Sequence, residues 1–279
     1  MQRTTRISDR QGAQPGEWGD SHGLIEFVRD TAAIVGIELL KLRRDPGEIL
    51  MRSVQPALWL LVFGQIFGRL HVVPTGNLDY FTFLAPGILA QGVLFISIFY
   101  GISAIWERDL GILQKLLASP APRTALVLGK ALSAGLRALA QAVIIYLLTL
   151  LMHVPLNWSP PALFVVAVSV VLGAALFSTF SLMIACIVKT RERFMGIGQV
   201  MTMPLFFASN AIYPISIMPD WLKTIAHLNP LTYQVDILRA MMVIGGTSTF
   251  GTGQDLLILS IILAGLVLVT SRLYPSIIR

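Results

Sequence analysis

The chain has 279 residues, 55% of them hydrophobic and 13% charged, with a net charge of +6 and a mean hydropathy of +0.73. Soluble domains carry about 25% charged residues, so the composition excludes an ordinary soluble domain and indicates an integral membrane protein. The positive charge fits the Lys and Arg excess of cytoplasmic loops; basic runs interleaved with aromatics are absent, so nucleic acid is not an expected partner.

In chain order, residues 1–23 are polar, lack the apolar core of a cleavable signal, and read as a disordered cytoplasmic tail. Residues 24–48 follow, with Ile25, Val28, Ile34, Val35, Ile37 and Leu39 spaced against Glu26, Arg29, Asp30, Glu38 and Lys41, and a basic cluster at Lys41, Arg43 and Arg44. This pattern predicts an amphipathic helix lying in the membrane interface, ended by Asp45-Pro46-Gly47. Residues 49–279 are predicted to form an all-α, six-span membrane domain, since about 20 mainly apolar residues suffice for one span. The six runs are Ile49–Leu70, Tyr80–Trp106, Leu126–Met152, Ala162–Val188, Phe194–Met218 and Asp255–Leu273. Between the last two, Pro219–His227 and Leu231–Val243 are too short to span and read as helices that dip into or lie on the outer leaflet.

Lys and Arg fix the predicted orientation. Seventeen lie before the first span, in the second–third and fourth–fifth connections and in the C-terminal tail; three, Arg69, Lys223 and Arg239, lie on the opposite side; Arg137 lies within a span. That asymmetry places both termini in the cytoplasm.

What is missing narrows the function. No G-x-x-x-x-G-K-[ST] occurs, because Gly129-Lys130 is followed by Ala131, so ATP hydrolysis by that route is excluded. The four histidines are scattered, and Cys186 is the single cysteine, so neither a metal site nor an intrachain disulfide is indicated. No cofactor is expected in this chain. Carboxylates sit at span ends or outside, which disfavours an ion-coupled carrier, and no clustered acid–base set supports a membrane-embedded enzyme.

The polar island between the second and third runs, Trp106–Arg123, remains. Over Glu107–Ala118 a helical wheel puts Leu110, Leu113 and Leu117 on one face and Glu107, Arg108, Gly111, Gln114 and Lys115 on the other. Such a helix would lie on the cytoplasmic surface with its polar face open to a partner. The run Pro86–Leu132 resembles the core of type-2 ATP-binding-cassette exporter permeases through Glu107-Arg108, Gly111, Leu116-Leu117, Ser119-Pro120, Arg123 and Leu128-Gly129-Lys130. Ala226–Val243 is similar to the family's Asn-Pro-Leu-Thr-Tyr segment through Asn229, Pro230, Leu231, Thr232, Tyr233 and Arg239. The likeness is nearest to the bacterial drug-export subgroup that includes daunorubicin-resistance permeases.

The resemblance implies a machine of two permease copies, more readily a homodimer, over two cytoplasmic ATPase subunits that bind ATP and magnesium, in a bacterial plasma membrane. It makes the second–third loop a coupling helix and the helices between spans five and six an outer cap. ATPase coupling is thereby expected at Glu107, Arg108, Leu110, Gly111, Leu113, Gln114, Lys115 and Leu117, joined by Arg191 from the fourth–fifth loop. A path for a hydrophobic or amphiphilic compound is expected at Arg137, Phe95, Phe99, Phe206 and Phe207, and an outer gate at Tyr213, Asn229, Tyr233, Asp236 and Arg239, with Asp236 and Arg239 able to pair. Two bland roles compete: Arg137 snorkelling to the surface, and Gln91, Gln141 and Asn210 bridging helices through hydrogen bonds. A lipid-linked glycan is the alternative cargo; a membrane-embedded enzyme or an accessory protein without cargo are the rivals of other classes.

Overall fold

The computed structural model describes residues 29, 31–33, 35, 36, 40, 47–70, 73–76, 78–111, 123–188 and 190–274. The predicted tail and the second half of the predicted coupling helix, including Leu113, Gln114, Lys115 and Leu117, lie outside them. The described part of the predicted interfacial segment is helical.

Among the described residues the fold is all-helical, with one isolated β-bridge, Leu156 to Val243. Helix α1 is Gly47–Leu70, α2 Tyr80–Tyr100, α3 Ile102–Asp109, α4 Arg123–Leu151, α5 Pro160–Ile187, α6 Arg191–Phe207, α7 Asp220–Leu228, α8 Pro230–Met242 and α9 Thr252–Leu273. Asp79 starts α2 by accepting a hydrogen bond from the Phe81 amide (3.1 Å), which satisfies one of the free donors at a helix start. Pro160 and Pro230 open α5 and α8, where a missing N–H costs nothing.

Among the described residues, four helical stretches are long and apolar enough to cross a membrane: Tyr80–Asp109, in which α3 continues α2, Arg123–Leu151, Pro160–Ile187 and Thr252–Leu273. The first and fifth predicted spans differ from these. In α1 the apolar stretch is only Ser53–Gly68. The fifth run is not one helix: α6 stops at Phe207, and the chain then turns through 208–214 into a 3-10 turn at Ile215–Ile217. The carbonyls that the end of α6 leaves without helical donors find other partners, as described below.

Helices α2 and α5 form the centre. Eighteen of the 21 residues of α2 are buried, so its continuous apolar run reflects protein on all sides. Helices α1, α4, α8 and α9 pack around this pair, and α6 is more loosely attached. The outward faces stay apolar, with Leu58, Val62, Leu147, Leu151, Val200, Ile261 and Leu268 exposed, as lipid-facing surfaces require. Helix α8 is not a surface helix: Leu231, Val235, Ile237 and Leu238 are fully buried against α2, α5 and α9.

Gly87 lets α2 touch the broken stretch after α6. A Cβ there would lie 2.2 Å from the Ala211 carbonyl oxygen and 2.8 Å from its carbon. Gly87→Ala is expected to destabilise the fold by about 1–3 kcal/mol through overpacking, measured as a lower midpoint of thermal unfolding in detergent.

The loops divide between two ends. At one end Ala104, Ile105, Leu126, Val127, Leu182, Phe194 and Tyr274 share a cluster, which gathers α3, the starts of α4 and α6 and the ends of α5 and α9. At the other, Ile244 donates to Pro155 (2.8 Å) and Asn157 to Met242 (2.9 Å), which holds the α4–α5 loop against the end of α8.

Candidate functional site

At the first end, α3 delivers consecutive charges in different directions. Glu107 turns inward and is 8% exposed; Lys130 of α4, 6% exposed, donates to its carboxylate at 2.6 Å. Glu107 therefore does not stand on an open polar face with Arg108, as the helical wheel placed it. The wheel also assumed an uninterrupted helix, whereas α3 ends at Asp109 and Gly111 takes φ +71°, a left-handed conformation that ends a helix and suits glycine. Leu110 is exposed, and residues 112–122, outside the described part, follow from this point.

Asp109 faces the other way. Its Oδ1 accepts from Arg108 (3.0 Å) and its Oδ2 from Arg191 (2.6 Å), 82 residues later at the start of α6. The Arg191 guanidinium also lies 4.0 Å from the centre of the exposed Trp106 ring. Thr190 begins α6 by accepting from the Arg193 amide (3.4 Å). One carboxylate thus bridges α3 and α6. A half-exposed ion pair contributes only about 0–1 kcal/mol and an exposed cation–π contact about 0.5–1 kcal/mol, so this junction orients two segments more than it stabilises the protein.

The opposite end holds the five predicted gate residues in two separate jobs. Asn229 and Tyr213 close the broken end of α6. Asn229 Nδ2 donates to the carbonyls of Leu205 (2.6 Å) and Ala208 (3.2 Å), while its Oδ1 accepts from the Leu231 amide (3.0 Å) and caps α8. Tyr213 donates to the Phe207 carbonyl, and Tyr233 to that of His227 (2.6 Å). Asp236 and Arg239 do not pair. Asp236 Oδ2 accepts from Ser248 Oγ (2.6 Å) and the Thr249 and Phe250 amides (2.7 and 3.2 Å), fastening the α8–α9 loop. Arg239 turns to the Asn210 carbonyl (2.7 Å) and lies 3.8 Å over the Phe83 ring. Burial pulls its pKa down to about 10, which leaves it cationic at neutral pH.

A scan against protein families matches residues 29–243 to the model described as ABC-2 type transporter. The chain belongs to this family. Among the relatives of this ABC-2 permease, a putative transport permease, ycf38, of Pyropia yezoensis is 30% identical over 222 residues, 78% of this chain and 75% of that protein. The daunorubicin resistance ABC transporter permease protein DrrB1 of Streptomyces coeruleorubidus is 26% identical over 249 residues, 85% and 83% of the two chains. The probable multidrug ABC transporter permease YbhR of Escherichia coli K12 is 31% identical over 169 residues, 58% of this chain and 44% of its own.

The candidate path residues of the permease do not converge. Phe95 and Phe99 pair on α2 at 6.2 Å. Phe206 and Phe207 instead stand against Trp59 of α1, at 5.7 and 6.1 Å. Arg137 is 7% exposed, its guanidinium 4.9 Å from the Tyr100 ring, so it is held in protein and does not snorkel. Gln91 and Gln141 are buried, and their amides make no hydrogen bond among the described residues; they do not form the interhelical bonds expected of them. Sequence reasoning gave no role to Asp109 or Phe83, and took Trp106 only as the start of the polar island and Lys130 only as part of the Leu-Gly-Lys motif. Asp109 had a signal, as the charged neighbour of the Glu-Arg pair; Phe83 had none.

Proposed function

We propose that this ABC-2 permease is the membrane subunit of an ATP-driven exporter in a bacterial plasma membrane, working as a homodimer on two cytoplasmic ATPase subunits. Helices α1 and α6 supply the two crossings beyond the four long apolar helices, and both termini are cytoplasmic. The cargo is a hydrophobic or amphiphilic compound, in keeping with relatives named for daunorubicin resistance and multidrug transport. Alternating access follows from approach of the ATPases on binding ATP.

The observation that carries this reading is the Asp109 junction. The segment that leaves Gly111 corresponds to the coupling helix, and Asp109 links its root to α6 through Arg191. A push on the 107–118 segment therefore reaches two helices, α3 running into the central α2, and α6.

The test is co-expression with candidate ATPases, reconstitution, and measurement of complex formation, ATPase stimulation and efflux. Asp109→Arg is expected to lower coupled transport at least fivefold while changing unfolding by less than about 1 kcal/mol. Asp109→Arg with Arg191→Asp is expected to recover part of it, without the Trp106 contact. Independent catalytic activity of the permease, with no ATPase bound, would overturn the reading.

A further inference from the structure

The end opposite the Asp109 junction holds a cavity of about 340 Å³ where the α1–α2, α6–α7 and α8–α9 loops meet. Its volume lies in the range of small-molecule sites. Its lining includes Thr75, Asn210, Ser216, Thr247 and Thr249 beside Arg239, with no carboxylate among the described residues. Arg239 is 7% exposed, yet its Nε makes no hydrogen bond among the described residues, nor does the buried Asn210 Oδ1. A buried guanidinium with an unused donor is costly unless something accepts from it. The nearest acid on its own helix, Asp236, is occupied by Ser248, Thr249 and Phe250.

A chain of aromatic rings leads to the same place. Trp59 stacks on Phe63 (4.3 Å), Phe63 on Phe67 (5.8 Å), Phe67 meets Tyr80 (5.6 Å), Tyr80 meets Phe83 (6.4 Å), and Phe83 carries Arg239 (3.8 Å). The half-buried α1 rings give an apolar surface along the helix, and it ends at a cation in a polar cavity.

Building on the exporter reading, we propose that this cavity is a headgroup subsite for an amphiphile bearing an oxyanion, a phosphate or carboxylate, with Arg239 and the Thr247 and Thr249 hydroxyls as donors and the half-buried α1 rings of the ladder against its apolar body; the Thr75 hydroxyl is already given to the Leu78 carbonyl (2.6 Å). The planar fork of Arg suits such an oxyanion. The ladder distinguishes an amphiphile from a free anion, because five successive rings add nothing to the binding of inorganic phosphate.

The test uses the full chain in nanodiscs of uncharged lipid, titrated with dodecyl phosphate, dodecyl maltoside, dodecyltrimethylammonium and inorganic phosphate, with binding read from Trp fluorescence and calorimetry. Dodecyl phosphate is expected to bind at least tenfold more tightly than the other three, and Arg239→Gln to remove that preference. Because Arg239→Gln removes a buried bond to Asn210, exposed Thr247 on the rim supplies a second pair: Thr247→Asp is expected to weaken dodecyl phosphate at least fivefold and Thr247→Lys to strengthen it. Equal binding of the phosphate and trimethylammonium amphiphiles, or indifference to the sign of charge at position 247, would overturn the inference. Inorganic phosphate binding as tightly as dodecyl phosphate would overturn the amphiphile part. Loss of ATPase binding with this selectivity intact would count against the exporter reading alone.

Discussion

Lys130→Met is expected to be the most destabilising single change at the charged end, at about 3–5 kcal/mol. Lys130 and Glu107 are both shielded from solvent, their side chains 7% and 11% exposed, at 2.6 Å. Removing Lys130 takes the close ammonium away from a shielded carboxylate in a medium that solvates charge poorly, whereas removing both costs far less. A sharply lower unfolding midpoint in detergent is expected for Lys130→Met, with most of the loss recovered in Glu107→Leu/Lys130→Met. If Lys130→Met unfolds like the unchanged protein, the pair is not shielded. The same geometry alters what a charge reversal at Glu107 tests. Glu107→Lys would place two ammonium groups together in the interior, so its defect is expected in folding and yield, ahead of any defect in coupling to an ATPase. Asp109 is the position at which coupling can be probed with the fold intact.

Asn229→Ala is the second large effect, expected at about 2–4 kcal/mol. The loss of an N-cap accounts for about 0.5–2 kcal/mol, and leaving buried carbonyls without a donor adds about 1–3 kcal/mol. Asn229 is 4% exposed and serves both the start of α8 and the end of α6. Asn229→Asp separates the two jobs, since a carboxylate still accepts from Leu231 but cannot donate to Leu205 and Ala208. It is expected to keep the α8 cap and lose the α6 contact, so a stability between those of the unchanged protein and Asn229→Ala is the diagnostic result. Hydrogen exchange should then rise at 205–214 and stay low at 230–234. Asn229→Asp as stable as the unchanged protein would show that the α6 contact contributes nothing.

The membrane class, the helical character and the four long apolar helices could be read from apolar runs bounded by charge or proline, because a lipid-facing or wholly buried helix needs little else. Span boundaries were harder. The run 194–218 is apolar enough to suggest one span, but Pro204 removes a donor inside the helix, and after Phe207 the freed carbonyls are met by Tyr213 of the same run and by Asn229 from outside it. A periodicity argument sees one segment at a time and cannot find those partners. Helix α8 illustrates the same limit: its length and mixed polarity suggested the outer leaflet, yet it is buried, because Asp236 is satisfied by the loop that follows and Arg239 by Asn210 and Phe83.

The site shows the division most sharply. The Glu-Arg and Leu-Gly-Lys motifs single out the stretch from Trp106 to Lys130 by type and spacing. A helical wheel assigned Glu107 to a partner because it takes every polar residue to face water. In the folded chain Lys130, 23 positions away, lets Glu107 be buried, and Arg191, 82 positions away, makes Asp109 the bridging carboxylate.

By itself, then, the amino-acid sequence determined a helical membrane protein with the family's two motifs in place, since hydropathy and local pattern are properties of the chain in isolation. Only the tertiary structure decided which charges are spent inside and which remain for a partner or a ligand. A charge is tolerable in the interior only beside its complement, and complements distant in sequence meet only when the helices pack.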